Sequence, residues 1–458
     1  MNFFNEKNLS LGMLVAVLGL TALLPLVRFY EISWYDQHRI GQIFIFFLVG
    51  VFFLLYRGPY IFFGKWGWAW AAVIALGMLS SALSANKVAG FTEVGLLVCS
   101  IGLTTFIATL HSRWPTETRF CFLLALRLTC YGLVLQFWLT YLAALSHPDL
   151  YFHPWMLIDG FSNVRFQGQF FTMALPVLLV ATWGEPTRYS NSLRALDTWV
   201  VLSGVCMVVI AGTRGTLAAW AITSVVFAFG GPNLRRIALW MVACVMGGLL
   251  LAPALMEFLP GGAKGLRTSV ESLTGLSSRE VIWGLALDAI RQNPWLGIGP
   301  MGFADIPNKV AAHPHQAFLQ VAAEWGILAA ITLIIILFYF IYQSFQEIYQ
   351  YKESNKFFIK FGLIFGLFGG LIQSMVDGVL VTPYSQILLS IFIGKNIASN
   401  FYSFIYYETK NIKLKIFYIL YFIFYIFILY ATDKNSTQIS TTNFSGGYPR
   451  YWMTSGIK

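Results

Sequence analysis

Residues 317–343 read AFLQVAAEWGILAAITLIIILFYFIYQ, with Glu324 the one charged side chain among them. A helix needs roughly 17–25 predominantly apolar residues to cross about 30 Å of hydrocarbon, and this stretch exceeds that length. Helix is expected over barrel strand, because backbone groups in lipid must bond within the segment and no ten-residue alternation of polar and apolar side chains is present. Comparable runs occupy 11–27, 40–56, 66–84, 91–110, 120–145, 167–183, 197–211, 214–230, 236–255, 357–376, 383–399 and 414–431. The chain therefore reads as an all-α polytopic membrane protein of about 12–13 transmembrane helices, with 197–211 and 214–230 open to being one span or two.

The composition agrees. Of 458 residues 57% are hydrophobic and 11% charged, with a mean hydropathy of +0.68. Soluble domains carry about 25% charged residues, so this chain lacks the polar surface to face water all round. The net charge of +10 does not make a nucleic-acid partner, because the basic residues lie between the apolar runs. Cys99, Cys121, Cys130, Cys206 and Cys244 all fall inside apolar runs and read as small buried hydrophobes, not disulfides or metal ligands. The run 11–27 reads as a retained first helix, since no small-residue cleavage site closes it.

Sidedness follows from lysines and arginines in short loops. With the N-terminus in the cytoplasm, Arg57/Lys65, Arg113/Arg119, Arg188/Arg194, Arg235/Arg236, Lys352/Lys356 and Lys410/Lys413/Lys415 all lie inside. The outer face then receives 28–39, 146–166, the turn at 212–214, the long segment 256–316, the turn at 377–382 and the tail 432–458. This divides the chain into an N-terminal bundle (1–255), an outer segment (256–316), a C-terminal bundle (317–431) and an exported tail (432–458).

The outer face also carries Arg28, Arg39, Arg165, Arg214, Arg267, Arg279 and Arg291. Insertion does not explain them, although lipid-facing arginines do snorkel to the interface. Three stand in patterned surroundings: Arg165 in Asn163-Val-Arg165-Phe-Gln167-Gly-Gln169, Arg214 in Gly212-Thr213-Arg214-Gly215, and Arg279 at the head of an amphipathic stretch ending near Arg291. An arginine fork suits a phosphate at the membrane surface. His313-Pro314-His315-Gln316 leads directly into the 317–343 run. Pro314 suits the first helical position, and at 100° per residue His315, Leu319, Ala322 and Gly326 would share one helix face. A histidine at a helix N-terminus is disfavoured in its protonated form, as a general base requires; a histidine that only caps a helix has the same pattern. Asp377 ends another run on this face, where it can orient His313 or His315, pair with an arginine, or form a purely structural ion pair. Arginines and a histidine gathered on one face suggest a cationic diphosphate site beside a base.

Other chemistry is missing from the sequence. There is no Asp-x-Asp pair, His-Glu-x-x-His, P-loop or Gly-x-Ser-x-Gly elbow. A transporter would place charges at mid-membrane depth, and 317–337 and 236–252 hold almost none apart from Glu324. Arg127 within 120–145 stands as an exception without an explanation from sequence.

His315-Gln316, nine residues and then Gly326 resemble the His-[Asn/Ser/Gln]-x9-Gly signature of the O-antigen ligase and polymerase superfamily; Ala329 stands where that signature has Gly, Thr or Tyr. Gly-Thr-Arg214-Gly is similar to the family's Ser-Arg-Gly turn, and the Arg279 helix followed by Pro294-Trp-Leu-Gly-Ile-Gly resembles its outer domain. The resemblance implies a GT-C-like helical enzyme of the bacterial inner membrane with its active site facing the periplasm. Such an enzyme is a metal-independent, inverting glycosyltransferase without a cofactor. It takes glycan from an undecaprenyl-diphosphate carrier and passes it to a hydroxyl. The resemblance assigns His315 and Arg214 to catalysis, Arg165, Arg214 and Arg279 to the donor diphosphate, and His313, Gln316 and Asp377 to support. Asn-x-Arg165-Phe-x-x-Gln169, Asp377-Gly-Val-Leu-Val-Thr-Pro383-Tyr384-Ser-Gln386 and the terminal Pro449-Arg450-Tyr451-Trp452 look similar to pilin-type protein O-oligosaccharyltransferases. Serine or threonine of a pilin-like protein is thus the implied acceptor, with lipid A-core or a growing O-antigen chain as alternatives.

Overall fold

Each apolar run folds as a helix, the one open structure that satisfies every backbone N–H and C=O without water. The computed structural model describes residues 6–29, 31–62, 66–147, 153–184, 190–259, 279–308, 310–351, 358–398, 405–407 and 412–438. Its α-helices are α1 (Glu6–Leu23), α2 (Trp34–Leu55), α3 (Gly67–Leu83), α4 (Lys87–Arg113), α5 (Pro115–Leu145), α6 (Val164–Trp183), α7 (Asn191–Ile210), α8 (Arg214–Ala228) and α9 (Pro232–Glu257), followed by α10 (Arg279–Gln292), α11 (Ala317–Trp325), α12 (Ile327–Tyr351), α13 (Phe358–Ser374), α14 (Pro383–Ala398) and α15 (Ile412–Gln438). Among the described residues, α1, α2, α4, α5, α6, α7, α9 and α12 are long and apolar enough to cross a membrane, and α3, α8, α13 and α15 contain shorter apolar helices. The protein is a polytopic helical membrane protein, and every expected span holds a helix. The open pair is two helices, α7 and α8, with Gly212 at φ +65° in the turn between them.

The stretch 317–343, expected as one helix, is two. Gly326 adopts φ +88°, and a β-carbon there would lie 2.0 Å from the Trp295 carbonyl oxygen. A break in a helix strands backbone groups, which must find other partners. Here residues 294–299 supply them: the Ile327 N–H donates to the Pro294 carbonyl at 2.9 Å, the Ile298 N–H to Ala323 at 2.9 Å and the Gly299 N–H to Glu324 at 3.0 Å. The Glu324 carboxylate, fully buried, accepts the Phe303 N–H at 3.2 Å. Segment 294–303 is thereby bound to α11, and α12 begins a separate course. One short antiparallel ribbon, β1 (Tyr60–Phe62) with β2 (Ile405–Tyr407), departs from the all-helical expectation.

Helices α6 and α4 form the centre, α6 packed on α13 and α4 on α14 and α15. Arg127, unexplained in the sequence, crosses from α5 to α7. Its Nη2 lies 2.8 Å from Asp197 Oδ2 and its Nε donates to the same carboxylate at 3.2 Å. Tyr131 and Thr182 also donate to Asp197, which is 1% exposed. Removing one partner of a buried pair leaves the other charge uncompensated. Asp197→Ala is therefore expected to lower stability by about 3–5 kcal/mol. The Arg127→Leu/Asp197→Leu double variant should recover most of that loss in a detergent-solubilised thermal-shift series. Equal losses in single and double variants would mean the pair is not what the site depends on.

Candidate functional site

The N-termini of α6 and α8 lie at one end of the bundle, brought together by a close approach. A β-carbon on Gly168 would stand 2.7 Å from Thr216 Oγ1. Asn163 caps α6 by accepting the Arg165 N–H at 2.9 Å, and Arg214 is the first residue of α8. Arg279 opens α10, and its Nη2 donates to the Val376 carbonyl at 2.7 Å, in the turn that follows α13. The next residue is Asp377. One turn further along the same face of α10, Trp283 Nε1 donates to the Pro314 carbonyl at 3.0 Å, which holds the two histidines against that turn.

The helix after the histidines begins later than the sequence suggests. Gln316 is the N-cap, its side chain accepting the Leu319 N–H, so α11 starts at Ala317 and Pro314 lies outside it. His315 is therefore not on a face shared with Leu319, Ala322 and Gly326, which the break at Gly326 also divides. It sits at φ +54°, a left-handed conformation that costs a non-glycine residue about 1–3 kcal/mol and collects at functional sites. The His315 N–H donates to His313 Nδ1 at 3.2 Å, and the rings meet edge to face with centroids 4.1 Å apart. The His313 ring packs on Gly378, where a β-carbon would come within 2.5 Å of it.

The sequence left open which group Asp377 serves, and the structure places it beside His315. Its Oδ1 lies 3.7 Å from His315 Nδ1, too long for a hydrogen bond but within reach of charge. The carboxylate also accepts the Gly378 N–H at 2.8 Å and Gln373 Nε2 at 3.4 Å. Burial works to raise the Asp377 pKa, but His315 and the Gly378 N–H outweigh it and hold the carboxyl below its ordinary value. With Nδ1 turned to the carboxylate, Nε2 is the nitrogen left for a substrate.

Arg279 is strained electrostatically. Burial lowers its pKa, Arg165 and Arg214 push the same way, and Asp377 alone opposes them. Guanidinium does not give up its proton in proteins, so the strain stays as excess positive potential. Arg279 Nε is buried without a hydrogen-bond partner among the described residues. Arg165 and Arg214 thus stand near enough to Arg279 for their charges to act on it. Gln316, expected to support the site, is the helix cap, with its amide nitrogen 3.7 Å from Met375 Sδ.

The sequence reading missed the polar layer beneath. Gln373 accepts from Thr172 at 2.6 Å and donates to Thr216 at 3.2 Å, joining α6, α8 and α13 under Asp377. Gln169 accepts from Thr382 at 2.7 Å and from Ser385 at 2.8 Å. Arg39, read as an outer-face arginine, is 1% exposed and donates to Gln386 at 3.1 Å. The available signal was helical spacing: Arg39 to Gln42 at i,i+3 and Gln373 to Asp377 at i,i+4 inside otherwise apolar runs. Pro449, Arg450, Tyr451, Trp452 and Arg267 lie outside the described residues.

Three arginines whose charges act on one another thus stand near a histidine–carboxylate pair in a helical membrane protein. Residues 199–334 match the family described as O-antigen ligase. That match supports a transferase of lipid-linked glycans. Arg214, Arg279, His313, His315 and Gln316 fall inside the match, while Arg165 and Asp377 lie outside it. Among curated proteins, no significant match is found.

Asp377→Asn is expected to fold and accumulate yet lose about tenfold or more of the transfer rate, as an orienting partner does. Because its folded pKa is depressed, Asp377 contributes stability that is present above about pH 4 and lost as pH falls further. The variant should accordingly lose the part of the acid transition below about pH 4 and change nothing in its shape above it. Acid melts of the two proteins check this, and coincident curves would remove the charge coupling to His315.

Proposed function

We propose that the protein moves a glycan en bloc from an undecaprenyl-diphosphate carrier to a hydroxyl at the periplasmic face of the bacterial inner membrane, the acceptor being serine or threonine of a pilin-like protein. One observation carries this reading: next to the His315–Asp377 pair, Ala317 and Val379, each two residues further along the chain, line an apolar groove. The groove holds about 280 Å³ and lies among α3, α12, α13 and α14. Ala317, Ser374 and Val379 line it beside the site, and Gln343, Ser344 and Ile397 line its far end. The lining from Ala330 to Phe345 alone spans about 22 Å of helix, at a rise of 1.5 Å per residue. A few isoprene units of a polyprenyl chain fit such a volume, with the rest of the chain in lipid, while its diphosphate stays with the arginines.

In this reaction the acceptor oxygen attacks the anomeric carbon and forms the new glycosidic bond. The bond from that carbon to the diphosphate oxygen breaks, and its electron pair leaves with the diphosphate. The hydroxyl proton passes to His315 Nε2, and Asp377 stabilises the imidazolium that results. The arginines meet the charge that develops on the leaving group. A single displacement inverts the anomeric carbon, and no step uses a metal or cofactor.

O-antigen ligation to lipid A-core is the second reading, favoured by the family match itself. Deleting the gene and examining both products separates the two. Loss of glycan mass from the pilin with an intact lipopolysaccharide ladder supports the protein acceptor; the reverse result replaces it with the lipid.

A further inference from the structure

A second cavity opens at the other end of α10. It holds about 420 Å³ and is lined by Leu285, Asp288 and Gln292 of α10, by Asn86 before α4, and by Ile298 and Asp305 of the segment bound to α11. Asp288 and Gln292 stand nine and thirteen residues along the helix from Arg279, about 14–20 Å at the helical rise. The cavity is a different volume from the cationic centre, yet both are built on one piece. Trp283 and Arg279 fix the front of α10 to the histidines and the Asp377 turn. The backbone of Ile298 and Gly299 fixes the cavity wall to α11.

The lining is unlike the cationic centre. It offers two carboxylates and two side-chain amides over an apolar floor, with no lysine or arginine among the lining residues. A second diphosphate would be repelled here. Hydroxyl groups suit it, since carboxylates only accept hydrogen bonds and amides both accept and donate. A ring carrying several hydroxyls and apolar C–H faces matches that mixture. We propose that this cavity binds a sugar of the transferred glycan at a distance from the diphosphate-linked end, so that it selects glycans by what they carry beyond the first residue. The proposal rests on the donor reading above and deepens it.

The test uses the full chain in lipid nanodiscs and two probes: bare undecaprenyl diphosphate, and the oligosaccharide released from the host cell's own lipid carrier. Asp288→Ala removes a carboxylate whose pairing with Arg291 is solvent-exposed, and Gln292→Trp fills the mouth. Asn86 is left intact because it caps α4. Calorimetric titration is expected to give oligosaccharide binding in the wild type, weakened about tenfold by each variant, the loss of one good hydrogen bond. Bare carrier should bind all three proteins alike. Oligosaccharide affinity that is absent from the wild type, or equal in all three proteins, overturns the inference. If instead cavity variants weaken the oligosaccharide while Arg214→Ala and Arg279→Ala leave bare-carrier binding untouched, the sugar site stands and the donor-diphosphate reading falls.

Discussion

His315→Ala is expected to abolish glycan transfer, with a loss of about 10²–10⁴ in rate, the range a positioned general base supplies. The same protein should still insert and accumulate, with only the modest loss of stability that follows from leaving Asp377 without its histidine. The reason lies in the backbone. His315 stands between a cap and a turn, outside any helix, at φ +54°. Its ring touches His313 and faces Asp377 but belongs to no core cluster. Its removal costs the charge contact with the buried Asp377 carboxylate, while the strained conformation is one that glycine would adopt without cost. His315→Gly should therefore be inactive yet more stable than His315→Ala, because both lose the Asp377 contact and only glycine relieves the strain. A transfer assay with lipid-linked glycan, read beside a thermal melt of the same preparation, decides it. Near-wild-type activity in either variant removes His315 as the base.

The spans were legible because lipid imposes a length and a polarity that no other demand overrides. The one that misled, 317–343, did so through Gly326. Its hydropathy is continuous across the break, and the partners that satisfy the broken backbone come from 294–299, which no periodicity within the run can reveal. His315 was placed on a helix face it does not occupy because Pro314 reads as a first helical residue, whereas the helix is capped by Gln316 and starts at Ala317. The convergence of Arg165, Arg214, Arg279, His315 and Asp377 was legible through loop charge alone, since charge counting orders the spans and alternation then puts all five at one end. Their pairing was not. Asp377 had three candidate partners in sequence, and what selects His315 is the contact of Arg279 with the Val376 carbonyl one residue away. Arg127 was opaque because its partner, Asp197, lies 70 residues further on in another helix.

Arg279→Ala is expected to cost about 10²–10³ in transfer rate, as removal of one preorganised group that meets transition-state charge does, and Arg214→Ala a comparable amount. The two should separate by their effect on the unliganded protein. Arg279 is half-buried beside two like charges, so alanine removes repulsion as well as its hydrogen bond to Val376, and the melting temperature without ligand should stay near that of the wild type. The ligand response then carries the information. Undecaprenyl diphosphate at 100 times its Kd stabilises a protein that binds it only when folded by about 2.7 kcal/mol, and the Arg279→Ala protein should forfeit most of that shift. Arg279→Lys keeps the charge but not the planar fork that reaches Val376 and an anion together. It should recover part of the thermal shift and little of the rate. Full rescue by lysine would mean that Arg279 supplies only charge, and an undiminished ligand shift in alanine would place the diphosphate elsewhere.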